Sequence, residues 1–352
     1  MNDQIAKEAI DSLIKKARVH LYKPIQIAEI LYRDRIVGDI NLSSIVTYRN
    51  TSKKWRDEVC YRFLGRASTS SARFQDDLFN DNAIPPTVLS QLGQINKRKN
   101  GIVEAYIYRR FHERMSQMST GLNYCITHNA ETFSLAEFIN LFWHEPGLKR
   151  SIDKIYEIIV YSLFSALVDA IGVTIEVSMN PDKLAILKEF EDFAHLVIRL
   201  SPESPTFKID AKIHRVGVTN ASDRGLDMFA NFGLAIQIKH LSLTEDLAEG
   251  IAHSVSADRI VIVCKDSEEK LIVSLLTQIG WKAKIQSIIT ENNLLIWYEK
   301  ALRGTFSKEI GTVVINKIQE EIQLEFPATD SSDLHAFQKS RDYENLFDDI
   351  WL

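Results

Sequence analysis

Asp227, Gln237 and Lys239 are the residues whose types and spacing point to chemistry. They lie in the stretch VGVTNASDRGLDMFANFGLAIQIKHLSL, residues 216–243. Apolar and polar residues alternate over 226–230 and 234–240, with Asn231, Phe232 and Gly233 between, which predicts two neighbouring strands joined by a tight bend. Residues two apart in a strand share a face, so Gln237 and Lys239 point the same way, and Asp227 sits opposite them if the register allows. Such a set suits phosphodiester hydrolysis. That reaction needs charge stabilisation at phosphorus and a deprotonated water in line with the leaving oxygen, and a hard divalent cation on oxygen ligands supplies both. Asp227 would be the bridging ligand, with the Gln237 amide oxygen and the Ile238 backbone carbonyl completing the protein side. Lys239 would hold the attacking water or a phosphate oxygen. A salt-bridged strand pair on a sheet surface accounts for the same residues without chemistry, because D…QxK arises readily by chance.

The elements that must position these residues follow from the flanking pattern. Residues 150–170 read as a helix ended by Gly172, 173–178 as a strand, 180–200 as a helix and 207–218 as a strand delivering the chain to the central pair. A helix over 244–256 follows, then the continuous apolar run 259–264, the pattern of a strand buried on both faces. A helix over 268–279, a strand over 283–289 and helices over 291–303 and 308–323 complete the succession. The fold class expected is α/β, an α+β mixed sheet flanked by helices, with a mainly helical N-terminal domain.

The D…QxK set in this order of elements resembles the PD-(D/E)XK nuclease superfamily, with Asp227, Gln237 and Lys239 on the motif positions. It departs in one respect, since the middle position usually holds Glu or Asp. The wider run RGLDMFANFG…IQIKHLSL, followed by SADRIVIVCKD, is similar to type II restriction endonucleases of the HaeII kind. The resemblance implies Mg²⁺-dependent cleavage of double-stranded DNA at a short palindromic site by a homodimer. It also implies a separately encoded methyltransferase as genetic partner. It nominates Glu157, on the helix before the first strand, as a further metal ligand, with Glu176 a weaker candidate; Asp223 could replace Asp227 as the key acid, but Asp227 is better placed within a strand pattern.

Composition bounds these readings. With 45% hydrophobic and 25% charged residues the chain is a globular protein, not a disordered one. Its three cysteines, Cys60, Cys125 and Cys264, form neither a disulfide framework nor a zinc cluster, and suit a reducing cytoplasm. His112, His128 and His144 match no metal-ligand spacing. The start, MNDQIAKEAIDSL, is not a signal peptide. The most apolar stretch, 155–173, carries Glu157 and Asp169, so it reads as a buried helix and not as a membrane span.

The net charge of −5 argues against a nucleic-acid partner, but its distribution does not. Residues 1–120 hold 20 Lys and Arg against 13 Asp and Glu, whereas the remainder holds 22 against 34. That asymmetry fits a basic binding module joined to an acidic body. In the basic part, helices are expected over 3–19, from Pro24 to Gly38, briefly after Asn41, from Thr51 to about Leu64, and over 102–118 with Gly121 as terminator. Short helices with tight links suggest a helix-turn-helix or winged-helix unit. Lys53, Lys54, Arg56, Arg62, Arg66 and Arg73 are the expected DNA contacts there, and Asn220 and Arg224 those in the loop before Asp227. Three segments result: a helical DNA-contacting domain over 1–149, a catalytic domain over 150–325 and an acidic tail over 326–352. A non-catalytic DNA-binding regulator and a sequence-tolerant repair or transposition nuclease remain as rivals.

Overall fold

The computed structural model describes residues 3–17, 20–68, 71–143, 152–216, 226–255, 257–277, 284–326, 331–346 and 348–351. The chain divides into two compact units, one of residues 1–155, 218–220 and 318–352, the other of 156–217 and 221–317.

Among the described residues the first unit contains helices and turns only. These are α1 (Asp3–Lys16), α2 (Tyr22–Ile36), α3 (Thr51–Leu64), α4 (Ala72–Phe79), α5 (Pro86–Arg98), α6 (Ile102–Thr127), α7 (Leu135–Trp143), the first turn of α8 (Ile152–Ile171), and, from the C-terminal part, the end of the helix Ser307–Glu325 and the helix Ser331–Ser340. Local chemistry sets several ends. Ser71 caps α4 by accepting from the Phe74 N–H, α5 opens on Pro86 with its φ preset for a helix, and Gly65 ends α3 in the left-handed region at φ 65°. The brief helix expected after Asn41 is instead a 3₁₀ turn over Ile45–Thr47. No strand occurs in this unit, so it has no wing among the described residues.

Gly121 does not terminate α6, which runs on to Thr127. A Cβ at this position would lie 2.3 Å from Phe142 Cζ, so the glycine is there for a close approach of α6 to α7. Buried polar groups tie the unit together. Gln26 donates to Ser52 and Gln75, both at 2.8 Å, and accepts from Arg56. The bidentate pair Arg341–Glu29, with Tyr108 also donating to Glu29, joins α2 and α6 to the C-terminal segment. That segment, read from sequence as an acidic tail, forms a helix (Ser331–Ser340) and buries Phe337, Tyr343 and Trp351 within this unit.

The second unit is built on a five-stranded sheet in the order β3-β4-β5-β6-β7, with β3 Ile213–Arg215, β4 Met228–Ala230, β5 Leu234–Lys239, β6 Arg259–Cys264 and β7 Ile285–Thr290. β4 runs antiparallel to both β3 and β5, whereas β5, β6 and β7 are parallel to one another. The parallel half needs crossovers, supplied by the helices Glu245–Ser254 and Glu269–Thr277. Ala235, Ile260 and Ile262 pack with Ala248, Ile251 and Ala252 of the first crossover helix. A separate antiparallel pair, β1 (Thr174–Ser178) with β2 (Thr206–Asp210), precedes the sheet. The single strand expected over 207–218 is therefore two, β2 and β3. The Lys212 N–H is taken by the Asn231 side chain and the Ala211 N–H by the Val173 carbonyl, so each half pairs with a different partner. The helix expected over 180–200 is broken into a 3₁₀ turn, a short α-helix and one π turn.

All three cysteines are buried and free. Burial pushes the Cys125 thiol up to about 12 and the Cys264 thiol up to about 11. Among the described residues no helix is long and apolar enough to cross a membrane.

Candidate active site

The bend between β4 and β5 is a three-residue turn, Asn231 to Gly233, whose glycine adopts φ 84° and donates to the Ala230 carbonyl at 3.0 Å. A glycine in that conformation is the usual closure of such a hairpin, and the Asn231 amide anchors the turn by donating to the Asp210 carbonyl. This turn fixes the register. Met228 faces Ile236, so Asp227, one residue earlier, falls opposite Gln237. Side chains opposite one another project from the same face, and Lys239 follows Gln237 by two residues on it.

Asp227 is half-buried and Gln237 is buried. The Gln237 Nε2 donates to Asp227 Oδ2, and the backbone N–H of Ile238 donates to the same oxygen at 2.7 Å. The carboxylate thus prolongs the β4–β5 ladder by one position before the first β4 residue, Met228. The Ile238 carbonyl lies on the edge of β5 that carries its N–H, facing the acid. The Gln237 Oε1 is buried and has no hydrogen-bond partner. A buried amide oxygen left in that state costs about 1–3 kcal/mol, so an unsatisfied acceptor beside a carboxylate calls for an explanation. Lys239 closes β5, half-buried.

A carboxylate, an amide oxygen without a partner and a backbone carbonyl are hard oxygen donors, the kind that suits Mg²⁺ or Ca²⁺. Among the described residues no group of three or more His, Cys, Asp or Glu gathers in metal-binding geometry. A cation here would therefore keep several waters or take substrate oxygens, as Mg²⁺ commonly does.

Glu157 is buried on α8 and ion-paired with Arg215 at 3.8 Å. Arg215 faces Met228, so by alternation it projects from the face opposite to that of Asp227 and Gln237. Arg215 was missed in the sequence. Its signal was an isolated arginine in the strand directly before the Asp227 loop. Glu176 sits exposed on β1, 3.4 Å from Lys208. Asp223, Asn220 and Arg224 lie outside the described residues.

The expected DNA contacts separate by burial. Arg56 is fully buried, bonded to Asp57, Gln26 and the Ser68 carbonyl, so it is part of the helical core and not a reader of bases. Arg62 is bidentate to Asp333, and Arg66 donates to the Leu324 and Glu325 carbonyls. Lys54 and Arg73 are exposed, and Lys53 is half-buried.

The sequence profile of HaeII restriction endonucleases matches residues 6–343. The chain belongs to the HaeII restriction endonuclease family. It is 61% identical to the type II restriction enzyme HaeII of Haemophilus aegyptius over 349 residues, covering 99% of each chain. It is 57% identical to the type II restriction enzyme NgoBI of Neisseria gonorrhoeae over 345 residues, covering 98% of each. No solved structure matches. Membership makes the chain an enzyme, a site-specific endonuclease hydrolysing DNA phosphodiester bonds, and it sets aside the non-catalytic regulator and the sequence-tolerant nuclease. The mixed sheet flanked by helices, with a helical N-terminal region, agrees with the nuclease fold expected.

Proposed function

We propose that this restriction endonuclease is Mg²⁺-dependent, cuts both strands of a short palindromic site as a homodimer, and has Asp227, Gln237, Ile238 and Lys239 as its catalytic centre. The observation that carries the reading is the convergence of the Gln237 amide and the Ile238 N–H on Asp227, beside a buried amide oxygen with no partner. When bound, the divalent cation supplies positive charge at the phosphate and makes an attacking water easier to deprotonate.

The chain's own residues do the rest. Asp227 and the Ile238 carbonyl present oxygens at one point between β5 and the residue before β4. Gln237 has two settings there. With Nε2 towards Asp227 it neutralises part of the carboxylate's demand for donors. Turned by half a rotation, it places Oε1 beside the carboxylate, an arrangement that is repulsive unless a cation shares both oxygens. Lys239, a pure donor, orients the attacking water or steadies the charge on the phosphate.

DNA is held by phosphate contacts from Lys53, Lys54 and Arg73, with Asn220 and Arg224 at the loop before the catalytic strand. A two-fold site calls for two copies of the chain, and a methyltransferase of the same specificity protects the host's own DNA. Digestion of DNA of known sequence tests the reading. Discrete fragments with Mg²⁺ and none with EDTA are expected, and undiminished cleavage in EDTA would overturn it.

A further inference from the structure

Between β1 and β2 the chain makes an excursion, residues 181–200, in which only Leu187, Ala194 and Leu200 are buried. With Met179 and Phe207 these three form a small cluster of their own. The backbone is regular, a short helix over Leu184–Glu189 and a π turn over Ala194–Ile198, closed by Arg199 in the left-handed region at φ 64°. Yet large apolar side chains face water. Phe190 and Phe193 are each 53% exposed, Leu196 80% and Val197 66%, with Ile186 and Ile198 exposed beside them.

Taking an aromatic side chain at about 150–250 Å² and the aliphatic ones somewhat below, the apolar surface offered is on the order of 600 Å². That is at the upper end of the largest apolar patch of an ordinary monomer, roughly 300–600 Å². It approaches the ~800 Å² that one partner contributes to a stable protein interface. Charge selects the occupant. Asp182, Glu189, Glu191 and Asp192 are interleaved with the apolar residues, so the surface lacks the excess of cations that a DNA backbone calls for. Lys183, Lys188 and Arg199 lie among the same acids, all of them exposed, so the surface carries both signs. Such a surface is self-complementary in an isologous contact, where residue i of one copy meets j of the other and j meets i.

We propose that residues 181–200 form the surface through which two copies of this chain pair. The choice of a second copy rests on the proposed two-strand cleavage, because each chain holds one Asp227–Gln237–Lys239 set.

The test is the mass of the full-length chain in solution, by sedimentation equilibrium, for the wild type and for the double variant Phe190→Glu/Leu196→Glu. Both positions are exposed, so the variant is expected to fold, which a cooperative melt at the wild-type temperature verifies. Wild type is expected at twice the chain mass of 40.2 kDa. The variant is expected as a monomer, with a dimer dissociation constant raised at least about a hundredfold, and to nick supercoiled plasmid instead of linearising it. Ile296→Glu, an exposed apolar position on another helix of the same unit, is expected to remain dimeric. A wild type that stays monomeric at tens of micromolar overturns the proposal, as does a double variant that still dimerises. A monomeric wild type with the amides of 181–200 protected from exchange would assign the patch to cover within the same chain, and overturns it too. Failure of the metal-dependent reading would show separately, as a dimer whose cleavage does not require a divalent cation.

Discussion

The carboxylate of Asp227 accepts two hydrogen bonds from the facing strand, one from the Gln237 side chain and one from the Ile238 backbone at 2.7 Å. One residue is therefore both a catalytic candidate and the last rung of the β4–β5 ladder, and substitutions there act on stability and on activity together.

Asp227→Asn preserves shape and keeps one acceptor oxygen, whereas Asp227→Ala leaves the Ile238 N–H without its partner. The alanine variant is expected to lose about 1–3 kcal/mol of stability and the asparagine variant less. Both are expected to lose at least about a hundredfold in cleavage, with binding to cognate DNA in Ca²⁺ retained. Cleavage within tenfold of wild type in either variant, assayed below its melting temperature, would remove Asp227 from the catalytic centre.

Gln237→Glu is expected to retain cleavage with altered metal preference, and Gln237→Leu to lose it. Metal-free Gln237→Glu sets two carboxyls side by side, which raises the folded-state pKa of the pair above the unfolded values. A raised carboxyl contributes stability below its unfolded pKa and loses it as pH rises through the folded value. The variant should therefore melt progressively lower than wild type as pH increases from about 4 to 7, and Ca²⁺ should restore it. A melting temperature offset independent of pH and Ca²⁺ would place residue 237 away from both the acid and the cation.

Glu157 and Arg215 are a buried ion pair, 3.8 Å apart. Removing one member of such a pair costs about 3–5 kcal/mol, so Glu157→Ala should unfold at markedly lower denaturant. Because its partner Arg215 projects from the face opposite to that of Asp227, Glu157→Gln should keep cleavage within about tenfold of wild type. A much larger loss of cleavage at unchanged stability would return Glu157 to the metal site.

Arg341 is bidentate to Glu29, whose carboxyl burial already pushes up while Arg341 holds it down. Arg341→Met removes the partner and lets the Glu29 carboxyl rise further. By the same linkage, its stability is present at low pH and fades as pH rises through the folded pKa. The variant should be closest to wild type near pH 5 and furthest from it near pH 8 in thermal melts. A constant offset across that range would mean that Glu29 is not the group left exposed to the loss.

For DNA binding, alanine at Lys53, Lys54 or Arg73 should reduce the salt slope of affinity by about 1 for each phosphate no longer neutralised, doubled in a dimer, evenly across sequences. Arg56→Ala should instead lower the melting temperature and leave the slope unchanged, since its guanidinium is bonded inside the helical unit. Fluorescence anisotropy in Ca²⁺ at several salt concentrations measures the slope, and a thermal melt the stability. An unchanged slope in all three variants at Lys53, Lys54 and Arg73 would move DNA recognition to the catalytic unit.

The sequence by itself determined the strands of the central hairpin, the buried strand after it, and the pair of residues proposed as catalytic. The alternation around Asn231-Phe232-Gly233 fixes two strands and their turn, and a period of two then places Gln237 with Lys239 whatever the rest of the chain does. The continuous apolar run 259–264 likewise has the pattern of a strand covered on both faces, as the burial of 260–264 in β6 bears out. Burial and partnership were decided by tertiary structure alone, because they depend on residues far away in the chain. Arg56 has the sequence signature of a DNA contact, but Gln26, 30 positions earlier, and the Ser68 carbonyl draw it inside. Gly121 has the signature of a helix end, but Phe142 on the next helix makes it a contact point. The split of 206–215 into two strands was set by the Asn231 side chain, which takes the Lys212 N–H. Local periodicity reports which face a residue occupies; what stands against that face is settled only when distant segments pack.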